Sequence, residues 1–193
     1  YTKKLANGDH FKGVIANRAR NELFLFEVPD DPKKTWPRYD IGKFPVNNQS
    51  GVELADINKD GNTDIISGNF WVEAPENPTD APWKFHRFCD WDNDGEYRWG
   101  GMNKHGVADF NQDGMPDVVL TEAEIPDARL SLFLRQNDDG TGMWKEIFID
   151  EGLDAPHSLV VADFNKDNLP DFLIGEMTAG GWEKANPKAA PKN

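Results

Sequence analysis

The chain has 193 residues, of which 34 are Asp or Glu and 21 are Lys or Arg, so its formal net charge is -13. This excess of acid argues against nucleic acid as a partner, because phosphate binding needs a basic face, and it favours cations. No run of 18 apolar residues occurs, so we expect no membrane insertion. Hydrophobic residues make up 38% of the chain, which indicates a packed protein.

The first 45 residues predict two clear strands. The segment Leu23–Val28 and the run that begins at Trp36 are short, rich in aromatic and β-branched residues, and bounded by Pro, Asp or Gly, as is typical of strands. Ahead of them, the stretch Leu5–His10 has the composition of a turn.

Residues 46–98 add an Asp-rich loop between two short apolar runs. Val52–Ala55 leads into the loop Asp56–Asp64, and Ile65 and Ile66 follow it. Consecutive apolar residues predict a strand that is buried on both faces. A further strand begins at Trp83.

The same pattern returns in residues 99–152 and again in residues 153–193. The leading acids of the three loops, Asp56, Asp109 and Asp163, are 53 and 54 positions apart. Such a regular period indicates a repeated structural unit. The third unit again has a strand that begins at Trp144, whereas the last unit contains two strands before a tail rich in Lys, Ala and Pro.

Repeated units of this kind, with roughly four strands in about 50 residues, predict an all-β fold, a β-propeller of four-stranded antiparallel blades. We expect complete blades at 46–98 and 99–152 and partial blades at 1–45 and 153–193, the first without its first strand and loop. Closed propellers have roughly 4–8 blades. The chain is therefore expected to be an incomplete part of a larger propeller, or a half that another chain completes.

Each loop has the form D-x-N-x-D-[GN]-x-x-D, which places oxygen donors at alternating positions. Hard cations need six to eight oxygens, and a flexible loop of protein oxygens favours Ca²⁺ over Mg²⁺. We predict side-chain ligands at positions 1, 3, 5 and 9 and a backbone carbonyl at position 7, with about three ions in all. The predicted ligands are Asp56, Asn58, Asp60, Asn62, Asp64, Asp109, Asn111, Asp113, Met115, Asp117, Asp163, Asn165, Asp167, Leu169 and Asp171.

Position 6 is Gly61 or Gly114 in the first two loops and Asn168 in the third. Asn tolerates the left-handed backbone better than other non-Gly residues, so the third loop should also form. The alternative is an Asx-rich turn that binds nothing. Against it, clustered carboxylates repel each other without a cation. Since each loop joins two strands of one blade, a structural ion is favoured over a regulatory one.

A second candidate site lies ahead of the loops. His105 and His157 precede two of them and could share one mouth of the propeller with residues of the long preceding loop. Aromatic rings and polar groups suit sugar binding, and His105, His157 and Tyr97 could also supply a base for a lyase. The alternative is that the histidines bond to backbone and the tryptophans pack between blades. The candidate ligand-binding residues are Trp91, Tyr97, Trp99, Asn103, His105 and His157.

The loop Asp56–Asp64 and the sequence V-A-D-F-N at Val107 and Val161 resemble the FG-GAP/VCBS repeat family, which includes integrin-α-like calcium-loop repeats. Trp83 and His86 look like its bacterial secreted branch. The resemblance covers residues 50–177 and implies a propeller, calcium in the loops, and an extracellular, periplasmic or cell-surface setting.

The expected function is a binding or scaffold module for glycans or protein partners, without catalysis. The alternatives are part of a polysaccharide-active enzyme or a purely architectural subunit, because one fold hosts many functions.

Overall fold

A computed structural model of the chain describes residues 1–18, 21–46, 50–91 and 102–177. Over these residues the protein is all-β: fourteen strands form four antiparallel sheets, and in each sheet strands that follow one another in sequence are neighbours. Within these ranges no helix is long and apolar enough to cross a membrane. The all-β prediction is confirmed.

The first sheet consists of β1 (Thr2–Lys4), β2 (His10–Arg18), β3 (Glu22–Glu27) and β4 (Arg38–Lys43). The prediction that this unit has lost its first strand was wrong. β1 is short, but it pairs with β2 from Thr2 opposite Lys12 to Lys4 opposite His10. Because only three residues pair and two of them are Lys, the sequence carries no apolar strand signal there.

The second sheet contains the first Asp loop, between its first two strands. The sheet consists of β5 (Glu53–Ala55), β6 (Asp64–Ser67), β7 (Phe70–Glu73) and β8 (Lys84–Arg87). Every residue of β6 is buried, which confirms the prediction from its consecutive apolar residues. Ile65 faces the first sheet and Ile66 faces the third.

The third sheet repeats this arrangement. It consists of β9 (Asn103–Ala108), β10 (Asp117–Glu122), β11 (Ala128–Leu134) and β12 (Lys145–Leu153). The Trp residues that mark fourth strands lie just ahead of β8 and β12, where Trp83 and Trp144 are buried in the two clusters between sheets. Both residues therefore pack between sheets, whereas Trp36, ahead of β4, is only partly buried and belongs to neither cluster.

The last sheet pairs two strands, β13 (Pro156–Ala162) and β14 (Asp171–Glu176). β13 lies beside β9, and β9 lies beside β5. The two strands approach closely at Gly106, where an added Cβ would lie 2.3 Å from Val161 Cγ2. One face of this sheet therefore packs against the third sheet, whereas Val160 and Leu173, opposite each other on the other face, are exposed.

Two apolar clusters fill the spaces between successive sheets. The first lies between the first and second sheets, and the second lies between the second and third. In the second cluster, Trp71 donates its Nε1–H to the carbonyl oxygen of Gly140 at 3.0 Å, so its ring spans from one sheet to the next. The core is therefore a series of layers between sheets.

Candidate metal centres

The three Asp loops have one backbone conformation. Position 4 has a positive φ in all three, at 60° for Lys59, 61° for Gln112 and 65° for Lys166. Position 6 has a positive φ as well, at 86° for Gly61 and 68° for Asn168. The prediction that Asn168 can take the place of glycine in the left-handed region is confirmed.

The acid at position 1 closes each loop by accepting two backbone N–H groups. In the first loop, Asp56 accepts from Asp60 at 3.1 Å and from Gly61 at 2.9 Å. The matching distances are 3.0 and 2.8 Å at Asp109 and 3.1 and 2.9 Å at Asp163. These aspartates therefore point into the loop, as a ligand at position 1 must.

Positions 3 and 5 turn inward in the same way. Asn58 Oδ1 accepts the N–H of Asp60 at 3.1 Å, and Asp60 Oδ1 accepts the N–H of Asn62 at 2.7 Å. The same two bonds recur in the second loop at 2.9 and 2.7 Å and in the third loop at 2.8 Å each. Carboxylate and amide oxygens thus surround the turn in all three copies.

The acid at position 9 ties its loop to the sheet. Asp64 and Asp117 are fully buried. Asp64 Oδ2 accepts the N–H of Ile57 at 2.8 Å, and its Oδ1 accepts the N–H of Ala74, after the third strand, at 2.8 Å. The pKa of Asp64 is raised to about 7, above all by burial; the two N–H groups act against this rise, and the like charges of Asp60 and Asp56 add to it.

Whether these loops could hold a cation depends on the oxygen atoms that they offer as ligands. Among the residues described, no group of three or more His, Cys, Asp or Glu side chains forms a metal-binding cluster. The loop donors also include Asn oxygens and the predicted carbonyls at position 7, both of which hard cations accept. The donors of each loop are thus all oxygens, the kind of ligand that Ca²⁺ would need.

Two side chains outside the motif contact the first loop and were missed by the sequence analysis. Lys3 Nζ donates to Asn62 Oδ1, to the carbonyl oxygen of Pro75 at 3.2 Å and to that of Glu76. Arg135 Nη1 donates to the carbonyl oxygen of Ile57. Both contacts cross between sheets, so no local pattern in the sequence could have indicated them.

The predicted ligand-binding residues that the structure describes differ in their burial. Asn103 and His105 are buried, whereas the His157 side chain is 56% exposed and its Nε2 lies 3.5 Å from Glu124 Oε1. β9 carries His105 into the interior, whereas His157 lies at the surface, and the shared pocket of the two histidines stays a prediction. Tyr97 and Trp99 lie outside the described residues.

Trp91 and His105 are both poorly placed to meet a ligand. Trp91 is 5% exposed, donates to Glu146 Oε1 at 3.1 Å and has the Arg129 guanidinium 4.4 Å from its ring centroid. Trp91 thus packs in the cluster between the second and third sheets, and its predicted ligand-binding role is not tested by this contact. Burial lowers the pKa of His105 to about 4, so its ring is neutral at neutral pH and closed off from solvent.

The fold and the loops define a repetitive all-β protein in which three successive sheets carry an Asp-rich loop between their first two strands. Residues 109–174, from the second loop into β14, match the family model of an FG-GAP-like repeat. The match confirms the family resemblance over this segment. No curated protein matches the chain.

Proposed function

We propose that the chain is a calcium-stabilised β-propeller segment that serves as a binding or scaffold module for glycans or protein partners outside the cytoplasm. The observation that carries the proposal is the recurrence of one loop geometry in three sheets, with the same inward-turned oxygens each time. In every copy the carboxylates at positions 1, 5 and 9 provide oxygen donors of the kind that a hard cation accepts.

The sheet arrangement supports the propeller. Successive four-stranded sheets pack face to face, and their first strands lie side by side, β5 next to β9 and β9 next to β13. Blades around a common axis have this relation, because their first strands converge near the centre. The FG-GAP-like repeat at 109–174 supports the same architecture.

The loop contacts favour a structural ion. Asp64 joins the start of its loop, at Ile57, to Ala74 beyond the third strand, and Asp117 joins Phe110 to Arg135 in the same way. A cation held by such a loop would fix the first three strands of a blade relative to one another. In an environment rich in calcium, this would replace the disulfides that a chain with one cysteine cannot form.

Thermal unfolding in calcium and in chelator tests the calcium part of the proposal. Saturation at 100 times Kd adds about 2.7 kcal/mol per site, and each kcal/mol raises Tm by about 2–4 °C at this size. We expect Tm to rise by at least about 5 °C in the native chain and to stay unchanged in D60N/D113N/D167N. The charge-matched control D30N/D127N/D150N, at exposed aspartates outside the loops, should respond like the native chain. Equal Tm values in calcium and chelator for the native chain would refute the calcium sites.

The binding role is tested with the calcium-loaded chain on a glycan array and in pull-downs with extracellular protein fractions. Specific capture that chelator abolishes supports the module. A negative result in both, with calcium bound, would reject it. The enzyme alternative lacks support among the described residues, since His105 is buried and His157 pairs with Glu124.

An architectural role is a second candidate, because one observation favours it. Leu173 is 62% exposed, whereas its counterparts in the second and third sheets, Ile66 and Val119, are fully buried. Val160, opposite Leu173, is 52% exposed. A sheet from another chain could cover this face and extend the propeller. Light scattering should then show a dimer or larger assembly that L173E disrupts; a monomer at all concentrations would exclude it.

A further inference from the structure

Arg135 is an unusual residue for the interior of the molecule. It follows β11, is 1% exposed, and forms no ion pair with a carboxylate among the described residues. Burial of a guanidinium is costly unless hydrogen bonds compensate for its lost hydration. The contacts that it makes therefore indicate why the position is occupied by arginine.

The guanidinium of Arg135 holds the backbone of the first Asp loop. Its Nη1 donates to the carbonyl oxygen of Ile57 and, at 3.0 Å, to that of Asp138. Ile57 is position 2 of the first loop, and its own N–H donates to Asp64 Oδ2 at 2.8 Å. The arginine thus contacts the same peptide segment that the position-9 acid holds.

The backbone of Arg135 holds the second Asp loop. Its N–H donates to Asp117 Oδ1 at 3.0 Å, and Asp117 Oδ2 accepts the N–H of Phe110 at 3.1 Å. One residue therefore joins the position-9 acids of two loops through three hydrogen bonds, by way of Ile57. Asp64, Ile57, Arg135 and Asp117 are all at most 1% exposed, so water does not compete for these bonds.

The equivalent residue one sheet earlier shows that this link is specific. Ala74 follows β7 and donates its N–H to Asp64 Oδ1 at 2.8 Å, as Arg135 does to Asp117. Its methyl group cannot reach a preceding loop. The first and second sheets are joined by Lys3 instead, which contacts the side chain of Asn62.

We infer that Arg135 couples the conformations of the first two Asp loops, so that ordering one loop orders the other. Where the loops hold calcium, which rests on the proposed function, an ion in one loop strengthens binding in the other. The physical reason is that an ion would fix the position-9 carboxylate of its loop. In the first loop Asp64 then restrains Ile57, and in the second loop Asp117 restrains the N–H of Arg135. Because Arg135 also binds the carbonyl oxygen of Ile57, a restraint on one loop is transmitted to the other. Couplings between sites typically change affinity by roughly 5-fold or more.

Calcium titration by calorimetry measures the coupling. The third loop is silenced with D163N/D167N, and the first loop is titrated with and without D109N/D113N in the second. With Arg135 present, we expect that disabling the second loop lowers the calcium affinity of the first loop about fivefold or more. In the R135M background, D109N/D113N should change the calcium affinity of the first loop by less than about twofold.

Arg129→Met is the matched control. Arg129 lies in the same sheet, pairs with Glu122 at 2.7 Å and stacks on Trp91, away from both loops. Its loss should leave the coupling intact. A coupling that persists in R135M, or that R129M removes equally, would overturn the inference.

R135K keeps the test decisive if R135M folds poorly, which near-ultraviolet circular dichroism would show. Both side-chain bonds come from one nitrogen, Nη1, so a lysine ammonium can replace part of the contact. We expect R135K to retain more coupling than R135M. Independent loops in the native chain would refute the inference whether or not any variant folds.

Amide hydrogen exchange in chelator separates this inference from the proposed function. D109N/D113N should speed the exchange of the Ile57 and Gly61 amides, and R135M should remove that response. If calcium fails to bind but exchange is coupled, the calcium proposal fails and the coupling stands. If calcium binds and both affinity and exchange are independent between loops, the coupling fails and the calcium sites stand.

Discussion

The second and the last sheets carry the same loop motif between their first two strands, but the loops differ in their surroundings. In the second sheet, position 2 of the loop is Ile57, which is fully buried. In the last sheet, position 2 is Phe164, which is 52% exposed. The residue two after the position-9 acid is Ile66 in one and Leu173 in the other, with exposures of 0% and 62%. The motif therefore determines the local backbone, whereas neighbouring sheets determine burial.

The largest difference in unfolding free energy between the two sheets should appear when the position-9 acid is removed. Asp64→Ala leaves the buried N–H groups of Ile57 and Ala74 without an acceptor, at about 1–3 kcal/mol each, so we expect a loss of about 4 kcal/mol. Asp171→Ala should cost about 1 kcal/mol, because Phe164 N–H lies in an exposed segment where water can replace the carboxylate. Denaturant unfolding in chelator measures both; equal losses would show that the loops, and not their surroundings, set the energy.

The next difference concerns the apolar faces. Ile66→Ala removes side-chain volume from the cluster between the second and third sheets and should cost about 2–4 kcal/mol. Leu173→Ala should change stability by less than about 0.5 kcal/mol, as surface substitutions do. Denaturant unfolding of both variants at two protein concentrations measures these losses. A concentration-dependent loss in L173A would instead indicate that another chain covers this face.

The smallest effect should come from exchanging the position-6 residues. Gly61 has φ 86° and Asn168 has φ 68°, and no atom lies within 4 Å of a Cβ built at Gly61. Gly61→Asn should therefore lower the unfolding free energy by less than about 1 kcal/mol, whereas Gly61→Val should lower it by about 1–2 kcal/mol. A loss in G61N as large as that in G61V would contradict the view that Asn serves this turn.

Local features of the fold and the site were predictable from sequence because they depend on short segments. The loop positions, the left-handed Asn168 and the buried β6 follow from turn chemistry and consecutive apolar residues. β1 was missed because two of its three residues are lysines. Its pairing with β2 was not apparent from so short and polar a segment.

The remainder of the site depends on packing between sheets. Arg135 contacts Ile57 across 78 positions of sequence, and Lys3 contacts Asn62 across 59. His105 looked like a residue at an open mouth, yet β9 is flanked by β5 and β13 and the ring is buried. Such contacts depend on how whole sheets face each other, which a motif search does not capture.

The close approach at Gly106 has a consequence for the order of the sheets. Counted from the leading acid of each loop, Gly106 corresponds to Glu53 in the second sheet and Val160 in the last. A chimera with the second unit in place of the third would place a glutamate against Val161, where even a single Cβ would lie 2.3 Å from Cγ2. The units therefore share one architecture but cannot be exchanged freely. Each unit needs the residues that fit its neighbouring sheets, and a change of order would produce steric clashes between sheets.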